Sequence, residues 1–259
     1  MQRLESPQPA GTAGPEPLGG IPSRRTSSAS SPSSAPVPPL PVRDRTPAPA
    51  RPAVWRRLVR FLPTPTGAPF TFWYGLVLVA TSVHAEYGDP ATVSALLRGS
   101  STDVAHLTST PLLVLVASAL WVTGGPASPY ALGFVLVLTA LERRIGAWRT
   151  AAVFLGGHVA ATLATEIPVG LSVAAGSLPE TSLHRLDYGI SFGLLACVGA
   201  LAGLLTPMVR TVVLGWVSVV LLGDLLAYED PLTDWGHPLA LLAGVLSLPV
   251  VRRWARVRA

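Results

Sequence analysis

Lysine is absent from this chain of 259 residues, charge is scarce and cysteine occurs once. Each shortage removes a class of protein. Asp, Glu, Lys and Arg make up 13% of the residues, against about 25% in ordinary soluble domains, which argues against a soluble single-domain enzyme. The one cysteine, Cys197, lies inside an apolar run, so neither a disulfide framework nor a thiolate metal site can be built. The five histidines form no HExxH or comparable ligand pattern, and neither a metal nor a cofactor is expected. All 19 basic residues are arginine. They interrupt apolar stretches instead of lining one polar face, so nucleic acid is not the expected partner despite the net charge of +5.

What remains is an apolar chain with a polar front. From Met1 to about Pro52, Pro, Ser, Ala and Arg dominate, as in SSASSPSSAPVPPLPV, without the periodicity needed to build a core, so this arm is expected to be disordered. The first long apolar stretch begins only after Arg60, too late for a secretory signal, and the arm is read as cytoplasmic. Arg51, Arg56, Arg57 and Arg60, with Trp55 and Phe61, form a basic juxtamembrane segment that either rests on anionic headgroups or anchors the topology. The expected division is residues 1–66 for arm and basic segment, and 67–259 for the membrane domain.

Uncharged runs locate the spans. There are 25 such residues between Arg60 and Glu86, 16 between Arg149 and Glu166, 22 between Asp187 and Arg210, and 17 between Asp234 and Arg252. A crossing helix needs roughly 17–25. A further span runs from about Thr211 to Ala227. The 38 uncharged residues between Asp103 and Glu142 are broken by GGPASP. Placing every arginine cluster on the cytoplasmic side closes only if that stretch crosses once. The expectation is therefore an all-α integral membrane protein with six spans and both termini cytoplasmic, in the plasma membrane and surrounded by its lipids. Either residues 104–123 span and 130–141 lie at the inner face, or the first part is half-submerged outside and the second spans.

The polar groups within this apolar framework carry the chemistry, because ionisable residues in spans are costly. His158 stands in LGGHVAATLA and His237 in DWGHPLALLAG, while Ser191 enters the fourth span in DYGISFGLLACVGALAG between Gly189 and Gly193. Gly199 with Gly203, and Ala240 with Gly244, are small residues four apart, the spacing of a helix-packing seam. Matching seams on the fourth and sixth spans would bring Ser191 and His237 together near one membrane face. A serine is a poor nucleophile until a base takes its proton, and histidine is the usual base. The plain reading of Ser191 is a packing residue. His158 reads as structural, bonded across the bundle to Glu166 or a backbone carbonyl, and His84 and His184 as solvated loop residues.

Together, the six-span order, the LERRIGAWR loop, the GISFG serine and the GHPLALLAG histidine resemble the rhomboid intramembrane serine proteases over about Phe70 to Val251. The resemblance implies a six-span rhomboid-like bundle in which Ser191 is the nucleophile and His237 its general base. Gly189 and Gly199 match glycines around the serine, and Ala240 and Gly244 match small positions after the histidine. Phe192 stands where the family has glycine, the next glycine being Gly193, and Leu195 stands where an aromatic residue stacks on the histidine. His106 and Thr110 have the spacing of the family's oxyanion donors, with an interfacial polar role as the alternative. Asp187 and Asp234, just before the two catalytic candidates, anchor the outer face or supply a third member. The implied activity is cleavage of transmembrane or membrane-proximal peptide bonds in partner proteins. The alternatives are a non-catalytic binder of client transmembrane helices and a small-solute transporter; the absence of an inverted repeat disfavours the latter.

Overall fold

The computed structural model describes residues 62–227 and 230–258. The Pro- and Ser-rich arm before them and the basic segment with Arg51, Arg56, Arg57, Arg60, Trp55 and Phe61 lie outside the described residues. Among the described residues all regular structure is helical. Helix α1 (Pro69–Tyr87) begins with proline, whose missing N–H costs nothing in a first turn. Its next two amides, of Phe70 and Thr71, each donate to the Glu142 carboxylate at 2.8 Å, and the Thr71 hydroxyl donates to it at 2.6 Å. A buried negative charge thus caps the positive end of α1. Helix α2 (Pro90–Gly99) is capped by Asp89, which accepts from the Thr92 amide.

The stretch after Asp103 resolves into two different halves. Its first half is broken into α3 (Val104–Ser109), α4 (Pro111–Ala117) and a 3-10 turn at Ser118–Leu120. The break falls at Thr110, with φ −140° and ψ 56°, because Pro111 disfavours the helical conformation in the residue before it. After Gly124 and Gly125, both at positive φ, the second half is continuously helical. There α5 (Pro129–Gly133) passes through a π-helical turn at Phe134–Leu138 into α6 (Thr139–Ile145), which ends at Gly146 with φ 95°.

Helix α7 (Ala147–Ala174), α8 (Ser191–Ala202), α9 (Pro207–Ala227), α10 (Pro231–Leu246) and α11 (Leu248–Arg258) complete the chain. Two of these, α7 and α9, are each long and apolar enough to cross a membrane, and α10 with α11, bent by 48°, makes a third if taken as one. Six spans are not counted this way. The physical reason is visible in α8: twelve residues rise about 18 Å, short of a hydrocarbon core of about 30 Å. Yet nine of its side chains and glycines are buried, so α8 is a central helix covered by protein. Hydrophobicity drives little association where lipid is equally apolar, and close contact between small residues takes over. Ala196 is held between Gly157 of α7 and Gly244 of α10, each lacking the Cβ that would collide with it. A Cβ on Gly199 would come within 2.8 Å of the Val245 backbone nitrogen. Around this contact Phe134, Leu138, Leu141, Phe154, Ile190 and Leu194 form the main core.

Candidate active site

The approach to Ser191 is clamped on two sides. The Asp187 amide donates to Ser101 Oγ at 3.0 Å, Thr102 returns its amide to the Asp187 carbonyl at 2.8 Å, and the Thr102 hydroxyl donates to Asp187 Oδ2 at 2.9 Å. Burial pushes the Asp187 carboxyl above its ordinary range, against the opposing pull of Arg185 and Thr102. Two residues on, the Gly189 amide donates to the Ser118 carbonyl at 2.9 Å and the Ile190 amide to the Trp121 carbonyl at 3.1 Å. Gly189 has φ 131°, and a Cβ there would lie 3.0 Å from Thr123 Oγ1. Only glycine suits this turn.

Ser191 then opens α8. Helical spacing puts it on the stripe with Leu194, Leu195 and Val198, three residues that line a cleft of about 730 Å³. The facing walls come from Tyr130, Gly133 and Val137 on one side and from Trp216, Val220 and Asp224 of α9 on the other, and His237 also lines the cleft. On the opposite side of Ser191, Gly193 presses on Phe154 of α7, where a Cβ would lie 2.6 Å from the ring.

His237 is 5% exposed, and neither ring nitrogen has a hydrogen-bond partner among the described residues. Buried polar side chains without partners are rare in native folds. No hydrogen bond joins it to Ser191. Instead Phe192 presents its ring to the imidazole edge-on, with centroids 5.6 Å apart and planes at 82°, and Tyr130 lies at 6.2 Å. Gly236 makes this possible: a side chain there would occupy the place of the Phe192 ring. The aromatic contact absent at Leu195 is therefore made from Phe192, the position at which the sequence departs from the family's glycine.

The other sequence candidates have partners of their own. His106 turns back to Asp103, the cap of α3, at 2.9 Å, and Thr110 is exposed. Asp234 accepts the Asp230 amide at 3.2 Å. His158 bonds across the bundle, but not to Glu166: its Nε2 pairs with the Ser118 hydroxyl at 3.0 Å, while Glu166 accepts from Arg185 at 2.8 Å. Eight residues of helix separate His158 from Glu166 by about 12 Å, so the two occupy different depths. Ser118 is wholly buried. Sequence reading missed it because Ser118 sits 40 residues from His158 in an uninterrupted apolar run. It missed Tyr130 and Asp224 because single residues in apolar stretches carry no spacing signal, and it named Phe192 only as a departure from the family's glycine, not as a neighbour of His237.

The family model described as rhomboid-like protein matches residues 66–257. This chain belongs to the rhomboid-like family. It is an integral membrane protein. No curated protein and no solved structure matches it.

Proposed function

We propose that this protein is an intramembrane serine protease, with Ser191 as nucleophile and His237 as general base. The observation that carries the reading is His237, buried and without a partner among the described residues, at a cleft lined by Leu194, Leu195 and Val198, which share the helical stripe of Ser191 on α8. The cleft between the α5–α6 segment and α9 is apolar, as a transmembrane helix requires, and Asp224, Tyr130 and His237 are its polar residues. A client helix entering there would expel water and bring the serine hydroxyl to the imidazole, a contact that unliganded sites often leave open. Ser191 Oγ would attack the peptide carbonyl as His237 takes its proton. His237 would then return that proton to the leaving amine, and water would resolve the ester. The amides opening α8 would face the oxyanion; one such donor contributes about 2.7–4 kcal/mol in other hydrolases. The arginine distribution supports a membrane domain over 67–259 with six crossings and cytoplasmic termini; the continuous helicity of Pro129–Ile145 makes it the second crossing in this reading, and the plasma membrane is the proposed location.

A second reading, a binder of client helices without cleavage, is favoured by one observation: the Phe192 ring, not the Ser191 hydroxyl, meets the imidazole. Labelling separates them. Purified protein in lipid should react with a fluorophosphonate, and Ser191→Ala should abolish the label while His237→Ala weakens it. Failure to label beside a rhomboid of established activity refutes the protease; photocrosslinking of an apolar helix to position 216 in that same sample would then identify the binder.

A further inference from the structure

The three ion pairs among the described residues join His106 to Asp103 and Arg185 to Glu166 and Asp230, all at the end of the bundle where α8 and α10 begin. At the opposite end, the arginines of α6, α7, α9 and α11 meet no carboxylate among the described residues. The nearest acid in sequence, Glu142, is taken by the first turn of α1. Several of these arginines are occupied by helix-end carbonyls, which attract cations. Arg149 donates to the Ile145 and Trp254 carbonyls at 3.3 Å, and Arg210 to those of Ala202 at 3.1 Å and Leu205 at 3.3 Å.

Arg252 differs. Only its Nε is engaged, on the Gly203 carbonyl at 3.2 Å, which leaves both terminal amino groups without an acceptor among the described residues. Arg256 follows four residues later on the same helical face and has no acceptor among them either. These two arginines, with Gly203, Leu204 and Ala255, line a cavity of about 610 Å³ that contains no carboxylate. We propose that this cavity binds a phosphate group, and that the phosphate is the headgroup of an anionic phospholipid.

The shape of α11 selects the lipid source. Val251 is buried and Trp254 half-buried beneath the Arg149 guanidinium, 5.9 Å from the ring centre, while the arginines face outward. A basic amphipathic helix turned 48° off the preceding axis suits the headgroup plane better than the hydrocarbon. Two guanidinium forks four residues apart match the oxygens of one phosphate, and Leu204 and Ala255 give the glycerol an apolar wall.

The test uses the full chain in nanodiscs of phosphatidylcholine, alone or with phosphatidylglycerol, and reads bound lipid by native mass spectrometry alongside thermal stability. One phosphatidylglycerol should be retained in preference to phosphatidylcholine. Arg256→Gln, at an exposed position without a protein partner among the described residues, should weaken retention more than about tenfold, the loss of a charge-assisted contact to phosphate, whereas Arg253→Gln, equal in charge but outside the cavity, should cost no more than the roughly fivefold effect of any near-surface arginine. Equal losses in the two variants, or no preference for the anionic lipid, would overturn the pocket. Stabilisation by inorganic phosphate in phosphatidylcholine discs equal to that by phosphatidylglycerol would overturn the lipid source. None of these readouts depends on proteolysis.

Discussion

The packing of α8 on α7 can be tested by moving one methyl group. Gly157 has no side chain because Ala196 Cβ occupies the space where one would go, and two carbons need about 3.5–4.0 Å. Gly157→Ala must therefore push the helices apart. Overpacking of this kind costs roughly 1–3 kcal/mol, less the 0.5–1 kcal/mol that alanine returns over glycine within a helix, for a net of about 1–2 kcal/mol. Ala196→Gly costs about 0.8 kcal/mol for the lost methyl and a similar amount for glycine in a helix. The double variant places the same methyl in the same space from the other helix, so its stability should return to within about 1 kcal/mol of the parent. The implied coupling, about 2–3 kcal/mol, lies at the top of the range for contacting residues. Tryptophan-fluorescence melting in detergent reads it out: each single variant should lower Tm by about 2–8 °C, at 2–4 °C per kcal/mol, and the double should recover. Additive losses in the double variant would refute the contact and with it the central position of α8.

Three further outcomes follow from individual side chains. Glu142→Gln keeps one acceptor but turns an amide toward the donors of α1, and should cost about 1.5–3 kcal/mol; unchanged melting would contradict the buried cap. Ser118→Ala removes the hydroxyl bonded to His158 and should cost about 1–3 kcal/mol while leaving fluorophosphonate labelling intact. Loss of label in that variant, with retention in Ser191→Ala, would move the nucleophile to Ser118. Because burial raises the folded-state pKa of Asp187 above its unfolded value, its protonation stabilises the fold as pH falls into the acid range, and this contribution is lost as pH rises through the folded pKa. Asp187→Asn, still able to accept from Thr102, should flatten that part of the stability–pH curve; an unaltered slope there would exclude Asp187 as its source.

Much of the helical framework could be read from spacing. Small residues four apart identified the faces of α8 and α10 that meet, because nothing larger permits that approach, and Gly199 and Gly244 lie in that contact. The GGPASP turn marked a break through backbone chemistry alone, whereas the break at Thr110–Pro111 was not read and 104–123 was kept as one candidate span. The choice between the two halves of the long uncharged stretch could not be read, since neither carries a formal charge to fix its depth. The structure separates them by continuity: the second half is one helical run carrying Phe134, Leu138 and Leu141 into the main core, whereas the first half is broken and reaches it through Ala119. Ser191 and His237 were legible as polar exceptions in apolar runs, but their surroundings were not: Phe192 reaches His237 only because Gly236, more than forty positions away in the chain, leaves room for its ring.

The sequence by itself determined that this is an apolar helical chain with few charges, because composition and period are local properties that survive any rearrangement of the chain, and its GISFG and GHPLALLAG motifs carried the likeness to the rhomboid-like family. Partner choice was decided by tertiary structure alone. Glu142 caps a helix 71 residues earlier, His158 takes Ser118 in preference to Glu166, and Arg252 spends one nitrogen on Gly203. Each is a contact between segments distant in sequence, and a hydrogen bond reaching only about 3 Å is settled by where the packed helices bring its two ends.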